Sequence, residues 1–369
     1  MIKVPFVDLG KQNSIIKKKL LNSFRNVLDS GEYILGSELK KFEQNFSKYI
    51  GSKFCVGVGS GTDALYLALK SINLDKKDEV ITVSQSYLAS ASAIKLAGAK
   101  IKFVDIKTDL NIDTKLLKKE INKNTKAIIA VHLTGRPVNI LEIKKIIKKL
   151  KLNHKIFIIE DCSQAVGSTL FNKKVGSLGD FGCFSFHPLK NLGAVGDGGA
   201  IVLNDQKKYH WLLKARNHGH PNRDECDFFS HNMRLDNLQA SFLEIKLKNL
   251  EKTILVRRKY AKYYENNLTN KVIKIKEDIN SRNTYHTYII ICKKRNKLKN
   301  FLLKKGIDTK IHYPKPIHKM KVLSKQKFNN LKNTEKLSKL ILSLPIAEYL
   351  TFDQIKYVTK SINSFYEKK

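Results

Sequence analysis

Between Phe54 and Leu203, short apolar runs recur with helix-patterned stretches between them: FCVGV, EVITV, IKFVDI, KAIIAVHL, KIFIIED, FGCFSF and GGAIVL. Each is of strand length and bounded by Gly, Asp, Asn or Lys. A strand that is apolar at every position must be covered on both faces, and alternation with amphipathic helices supplies the cover. The pattern therefore predicts an α/β fold built on a largely parallel sheet. In such sheets ligands gather at the carboxyl ends of the strands, so the loops that follow these runs are where chemistry is expected.

The flanks extend this plan. Helical patterns at about Ile15 to Leu28 and Glu38 to Tyr49 surround the turn-like SGEYILGS and form an N-terminal arm. Leu238 to Leu268 reads as one long charge-laced helix leading into a smaller α+β domain. That domain has strand runs near Tyr285 to Cys292 and Thr309 to Tyr313, and a closing helix from about Phe352. The expected division is residues 1–245, arm and large domain, and 246–369, small domain.

Composition excludes several classes. With 369 residues, 42% of them hydrophobic, the chain buries a substantial core without disulfide staples. Its five cysteines are scattered, with no C-x-x-C pair and no zinc spacing, and are expected to be reduced, mostly buried and inert. No metal site is expected. The N-terminus lacks a signal-peptide h-region and no run approaches a membrane span, so a cytoplasmic protein without membrane contact is expected. The net charge of +36 raises the question of nucleic acid. Yet in EIKKIIKKLKL, Glu142 to Leu152, lysines alternate with Ile and Leu as on the wet face of a helix. Arg, the residue suited to bidentate phosphate contacts, is far scarcer than Lys. A lysine-rich solvated surface is expected, whose field would favour encounter with an anionic substrate.

Three segments carry chemistry. GVGSGTDAL, Gly57 to Leu65, leads from a strand through glycines into a helix beginning near Thr62, a backbone anion site. It lacks the third glycine and the downstream acid of a dinucleotide fingerprint, so a phosphate without a ribose fits better than NAD. A tight turn with a Thr cap would look the same. KIFIIED delivers Asp161 to a strand's carboxyl end, where it could hold a protonated ring nitrogen or cap the next helix. FGCFSFHPLKNLGAVGDGGAIV places Lys190 just beyond a buried strand and before a glycine-rich turn. An amine desolvated there attacks carbonyls. Ser185 adds an anion donor, while Met233 and Phe184 read as core.

GSGTDAL, EDCSQAVGS, SFHPLKNLGAVGDGG and SHNMRLDNLQA, in this order, resemble the DegT/DnrJ/StrS sugar aminotransferases, a group within the aspartate-aminotransferase fold type I. The resemblance runs from FVDL at Phe6 to LSLP at Leu342. It implies a three-layer, mostly parallel sheet, pyridoxal 5'-phosphate (PLP) as cofactor, and Lys190 as the Schiff-base lysine. It further implies Asp161 on the pyridine nitrogen, Gln164 near the phenolic oxygen, and Gly61, Thr62 and Ser185 on the phosphate. Tyr87 matches the aromatic residue that stacks on the ring. Asn232, with Arg234 beside it, matches the residue that reaches the phosphate of the neighbouring subunit, which implies a homodimer with shared sites. His187, Tyr33, His312 and Tyr313 are candidate substrate contacts; a His and a Tyr simply satisfied at a domain interface are the alternative for the last two.

Two positions depart from the pattern. Val83 to Gln85 reads VSQ where the family usually has a proline and often an aromatic or His, and Thr134 stands where a Tyr often follows the Leu of VHLTG. Both bear on substrate fit. The implied reaction moves an amino group from an amino acid, glutamate, to a nucleotide-linked keto-sugar, for amino-sugar or surface-polysaccharide synthesis. GDGG with Asp197 resembles relatives acting at carbon 3, whereas those acting at carbon 4 more often show GEGG. The rivals are a keto-sugar dehydratase on the same scaffold, against which Lys190 speaks because such enzymes carry His there, and a non-catalytic regulatory or DNA-binding protein.

Overall fold

The computed structural model describes residues 2–367. All seven apolar runs become strands of one sheet: β1 (Phe54–Val58), β2 (Glu79–Val83), β3 (Lys100–Val104), β4 (Thr125–Val131), β5 (Phe157–Asp161), β6 (Phe181–Ser185) and β7 (Gly199–Leu203). Their order is β1-β7-β6-β5-β4-β2-β3. Only β7 runs antiparallel to its neighbours, with Gly199 paired to Val58 on one side and Ser185 on the other.

The two-residue period of a strand divides the apolar side chains between two cores. Val56, Val58, Phe181, Cys183, Ile201 and Leu203 face one; Cys55, Phe184, Ala200 and Val202 face the other. The second core is closed by the helix Ser37–Ile50, whose Leu39, Phe42, Phe46 and Ile50 recur at helical spacing and are buried. Phe46 meets Phe184 and Phe186 edge-on, with ring centroids 5.0 and 5.3 Å apart. These contacts anchor the end of β6 just before the loop that carries Lys190.

Downstream the structure differs from the sequence pattern at two places. The single long helix is two, Asn237–Leu247 and Leu250–Asn267, broken at Lys248 and Asn249. Thr309 to Tyr313 is not a strand; Lys310 alone bridges to Ser343. A second, antiparallel sheet of Ile273–Lys274, Tyr288–Ile291 and Ile341–Leu344 packs on the helices Leu250–Asn267 and Phe352–Glu367 through Tyr264, Ile290, Leu342, Ile355 and Val358. Val4 is buried in that same core and bridges to Ile307. Nearby, the Asp8 amide donates to Tyr349 Oη at 2.9 Å and Gln12 Nε2 to Glu348 at 2.8 Å. The chain's first residues thus lie against its last quarter. Among the described residues, no helix is long and apolar enough to cross a membrane.

Candidate active site

The carboxyl ends of β1, β2, β4, β5 and β6 open toward one region, and most of the candidate residues lie there. After β1 the helix Gly61–Lys70 begins, capped not by Thr62 but by Ser60, whose Oγ accepts the Asp63 amide at 3.1 Å. Among the described residues, the amides of Gly61 and Thr62 at the helix start have no hydrogen-bond partner. Gly61 is required by packing: a Cβ there would lie 2.7 Å from Ser185 Cβ and 3.2 Å from Ser163 Oγ. The absence of a side chain brings the positive helix end against the hydroxyls at the ends of β5 and β6.

Asp161 closes β5 and is buried. Its Oδ1 accepts the Ser163 amide at 3.1 Å and its Oδ2 accepts the Ser90 hydroxyl at 3.0 Å, with Ser86 a further 3.0 Å beyond Ser90. Lys190 follows β6, half-buried, with its amide donating to the His187 carbonyl at 2.8 Å. Desolvation holds its ammonium below the ordinary lysine range, and the Asp161 charge opposes but does not reverse this.

A second chain of contacts crosses to the C-terminal part. Gln164 donates through Nε2 to Tyr313 Oη at 3.0 Å and accepts the Thr134 amide on Oε1 at 2.8 Å. Thr134, whose φ is 64°, serves Gln164 through its backbone amide. Gln85 Nε2 donates to the Tyr313 carbonyl at 3.1 Å, and Ser84 Oγ pairs with His318 Nδ1 at 2.7 Å. Within the Val83 to Gln85 stretch that departs from the family's pattern, Ser84 and Gln85 therefore fasten the Tyr313–His318 segment to the end of β2. Burial, then the nearby Asp161 charge, raise the Tyr313 phenol above its usual range. Tyr87 lies 63% exposed with its ring 6.0 Å from that of Tyr313.

His312 is satisfied inside the fold, bonded to Ser343 Oγ at 2.9 Å and stacked on Phe6 at 5.7 Å. Burial, with the charges of Lys190 and Lys310, pushes it down to about 4. His187 is exposed, its Nδ1 accepting the Leu189 amide at 3.3 Å.

Three candidates stand apart. Asn232 is exposed and bridges to Asn217, while Arg234 donates to Asn217 Oδ1 at 2.9 Å, beside the start of the glycine turn at Gly59. Tyr33 is 52% exposed, and its carbonyl accepts the Asn237 amide. No hydrogen bond among the described residues joins any of the three side chains to Lys190 or Asp161. Met233 and Phe184 are core, as expected.

Sequence reasoning missed Ser90 and Ser86, although their spacing of four in SQSYLAS is a helical signal. It also missed His286, pushed well below the ordinary imidazole value by burial and then by Lys190; its nitrogen Nδ1 has no hydrogen-bond partner among the described residues. Behind the site, Glu160 accepts the amides of Gly176, Leu178 and Gly179 and faces His132 Nε2 at 3.0 Å. His132 Nδ1 accepts the Val138 amide, so Nε2 carries the hydrogen that Glu160 receives. These bonds hold the ends of β4 and β5 in register beside Asp161.

The DegT/DnrJ/EryC1/StrS aminotransferase family matches residues 14–363. A dTDP-3-amino-3,6-dideoxy-alpha-D-galactopyranose transaminase of Aneurinibacillus thermoaerophilus is 38% identical over 98% of this chain and 99% of its own. Among solved structures, Streptomyces venezuelae DesV in complex with a ketimine intermediate superposes with a TM-score of 0.96 at 32% identity, covering 100% of both chains. NtdA of Bacillus subtilis with bound cofactor PMP superposes with a TM-score of 0.93 at 26% identity, covering 100% of this chain and 86% of that one. The chain belongs to the DegT/DnrJ/EryC1/StrS aminotransferase family, with the fold type I architecture its sheet displays.

Proposed function

We propose that this PLP-dependent nucleotide-sugar aminotransferase takes its amino group from glutamate and delivers it to carbon 3 of the keto-sugar, in amino-sugar or surface-polysaccharide synthesis. The observation that carries the aminotransferase reading is Lys190, desolvated at the sheet's ligand edge within the field of Asp161. The name of the A. thermoaerophilus relative and the GDGG turn containing Asp197 support carbon 3.

The residues present suit PLP. The free amides at Gly61 and Thr62, with Ser185 against them, form a cradle for a phosphate that a Cβ at Gly61 would fill. Asp161 would hold the ring nitrogen, Gln164 would lie near the phenolic oxygen, and Tyr87 would cover the ring. When bound, PLP takes up the electron pair left as a donor's Cα–H bond breaks. Lys190 Nζ, whose lowered pKa enlarges its neutral fraction, accepts that proton and returns it on the far side of the transfer. Asp161 keeps a proton on the ring nitrogen, and the two hydrogen bonds it accepts fix its carboxylate for that task. Tyr313 would meet the substrate through the segment that Gln85 and Ser84 fasten, and His187, Arg234 and Tyr33 would complete the proposed sugar and nucleotide contacts, while His312, satisfied against Ser343 and Phe6, would support that segment from inside the fold.

The assembly in this reading is a homodimer. Asn232, exposed and without a hydrogen bond to its own chain's Lys190 or Asp161 among the described residues, would reach the phosphate of the neighbouring subunit, with Arg234 beside it. Exposed Leu21, Phe24, Leu28, Tyr33 and Ile34 supply apolar surface suited to burial between protomers. The domain division is placed between residues 245 and 246, and the compartment is the cytoplasm, consistent with five free cysteines of which four are buried. The test compares matched 3-keto and 4-keto nucleotide sugars with glutamate by kcat/KM. A tenfold preference for the 4-keto compound, about 1.4 kcal/mol of transition-state binding, would overturn the carbon assignment and leave the PLP reading in place.

A further inference from the structure

One helix face holds the loop of Lys190 at two points. In the helix Asn237–Leu247, the spacing of Gln239 and Lys246 puts both side chains on the same side, two turns apart. Gln239 Oε1 accepts the Val195 amide at 2.8 Å, and Lys246 Nζ donates to the Gly193 carbonyl at 2.7 Å. The loop between has little room to drift. A Cβ on Gly193 would lie 2.6 Å from the Pro188 carbonyl oxygen, and one on Gly196 would lie 3.0 Å from Gln239 Nε2. The near end is closed by the Ala194 amide on the Phe186 carbonyl at 2.7 Å and the Lys190 amide on that of His187 at 2.8 Å.

Lys246 gives up part of its hydration for this contact. Its acceptor is a carbonyl and not a carboxylate, and desolvation takes its pKa down to about 8 against the opposing charge of Glu348. A desolvated ammonium held on a neutral carbonyl is costly to bury, so what it supplies is position and not net stability. We infer that Lys246, together with Gln239, is a positioning residue that sets Lys190 by holding the Gly193–Val195 end of its loop. The inference rests on Lys190 being the residue that carries PLP.

The test uses the full-length protein as wild type, Lys246→Met, Lys246→Arg and Gln239→Leu. Two quantities are measured: PLP affinity by absorbance titration, and the pH midpoint of the rate at which Lys190 captures added PLP. Lys246→Met is expected to bind PLP about tenfold more weakly, the scale of one charged hydrogen bond. Its midpoint should move up toward the ordinary lysine value as the loosened loop admits water to Lys190. Lys246→Arg, which keeps a cationic donor, should recover both. A Lys246→Met protein equal to wild type in affinity and midpoint overturns the inference. If that variant does not fold, Gln239→Leu carries the same expectation and the same refutation. A wild type with no borohydride-stable adduct at Lys190 overturns the functional reading itself, and the inference with it.

Discussion

The hydroxyl of Ser90 donates to Oδ2 of Asp161 across 3.0 Å, with both side chains buried. A hydrogen bond to a carboxylate is worth about 1.5–3 kcal/mol, and this one orients the acid that would face the cofactor's ring nitrogen. Ser90→Ala should lower kcat roughly tenfold and shift the visible band of bound PLP, while Ser90→Thr, which keeps the hydroxyl, should recover both. Unchanged spectra and turnover in Ser90→Ala would remove Ser90 from the site.

Lys190→Ala should abolish reducible PLP and lower kcat by at least about 10²-fold, the usual minimum for losing a positioned base. Borohydride treatment, digestion and mass mapping of the wild type should place the adduct on Lys190. An adduct on another lysine, or full turnover in the variant, would contradict the mechanism.

Mixing Lys190→Ala and Asn232→Ala proteins tests the shared site. Each variant alone should be nearly inactive. Random exchange should restore about a quarter of wild-type activity, because half of the dimers then hold one intact site in two. No recovery after verified subunit exchange, or full activity in a monomer, would place Asn232 in its own chain's site.

His312 should make stability depend on pH. Its folded value, about 4, lies below the unfolded value near 6.5, so between these limits the unfolded chain binds the extra proton. Stability from this residue is therefore fully present above pH 6.5 and is lost as pH falls toward 4, to a limit of about 3 kcal/mol. Denaturant unfolding at several pH values should show a shallower acid loss in His312→Phe than in wild type. Parallel curves would show that its burial is not coupled to folding.

The strands were legible because burial on both faces leaves an uninterrupted apolar run; FCVGV and EVITV match β1 and β2 residue for residue. The break at Lys248 and Asn249 was not, since charge-laced periodicity continues through both helices. Thr309 to Tyr313 alternates like a strand but finds a partner only at Lys310. In the site, Lys190 and Asp161 could be read because topology places strand ends together. The Ser90 contact to Asp161 spans 71 residues and the Gln164 contact to Tyr313 spans 149, and no local pattern encodes such separations.

Val4, bridged to Ile307 inside the C-terminal core, sets an order on biogenesis. At about 5–20 residues per second, roughly 15–60 s of synthesis separate Val4 from the Ile307 it bridges. Throughout that interval Val4 lacks the surface on which it is buried in the folded chain. Its docking therefore follows the synthesis of the core that Ile307 belongs to, about 300 residues downstream.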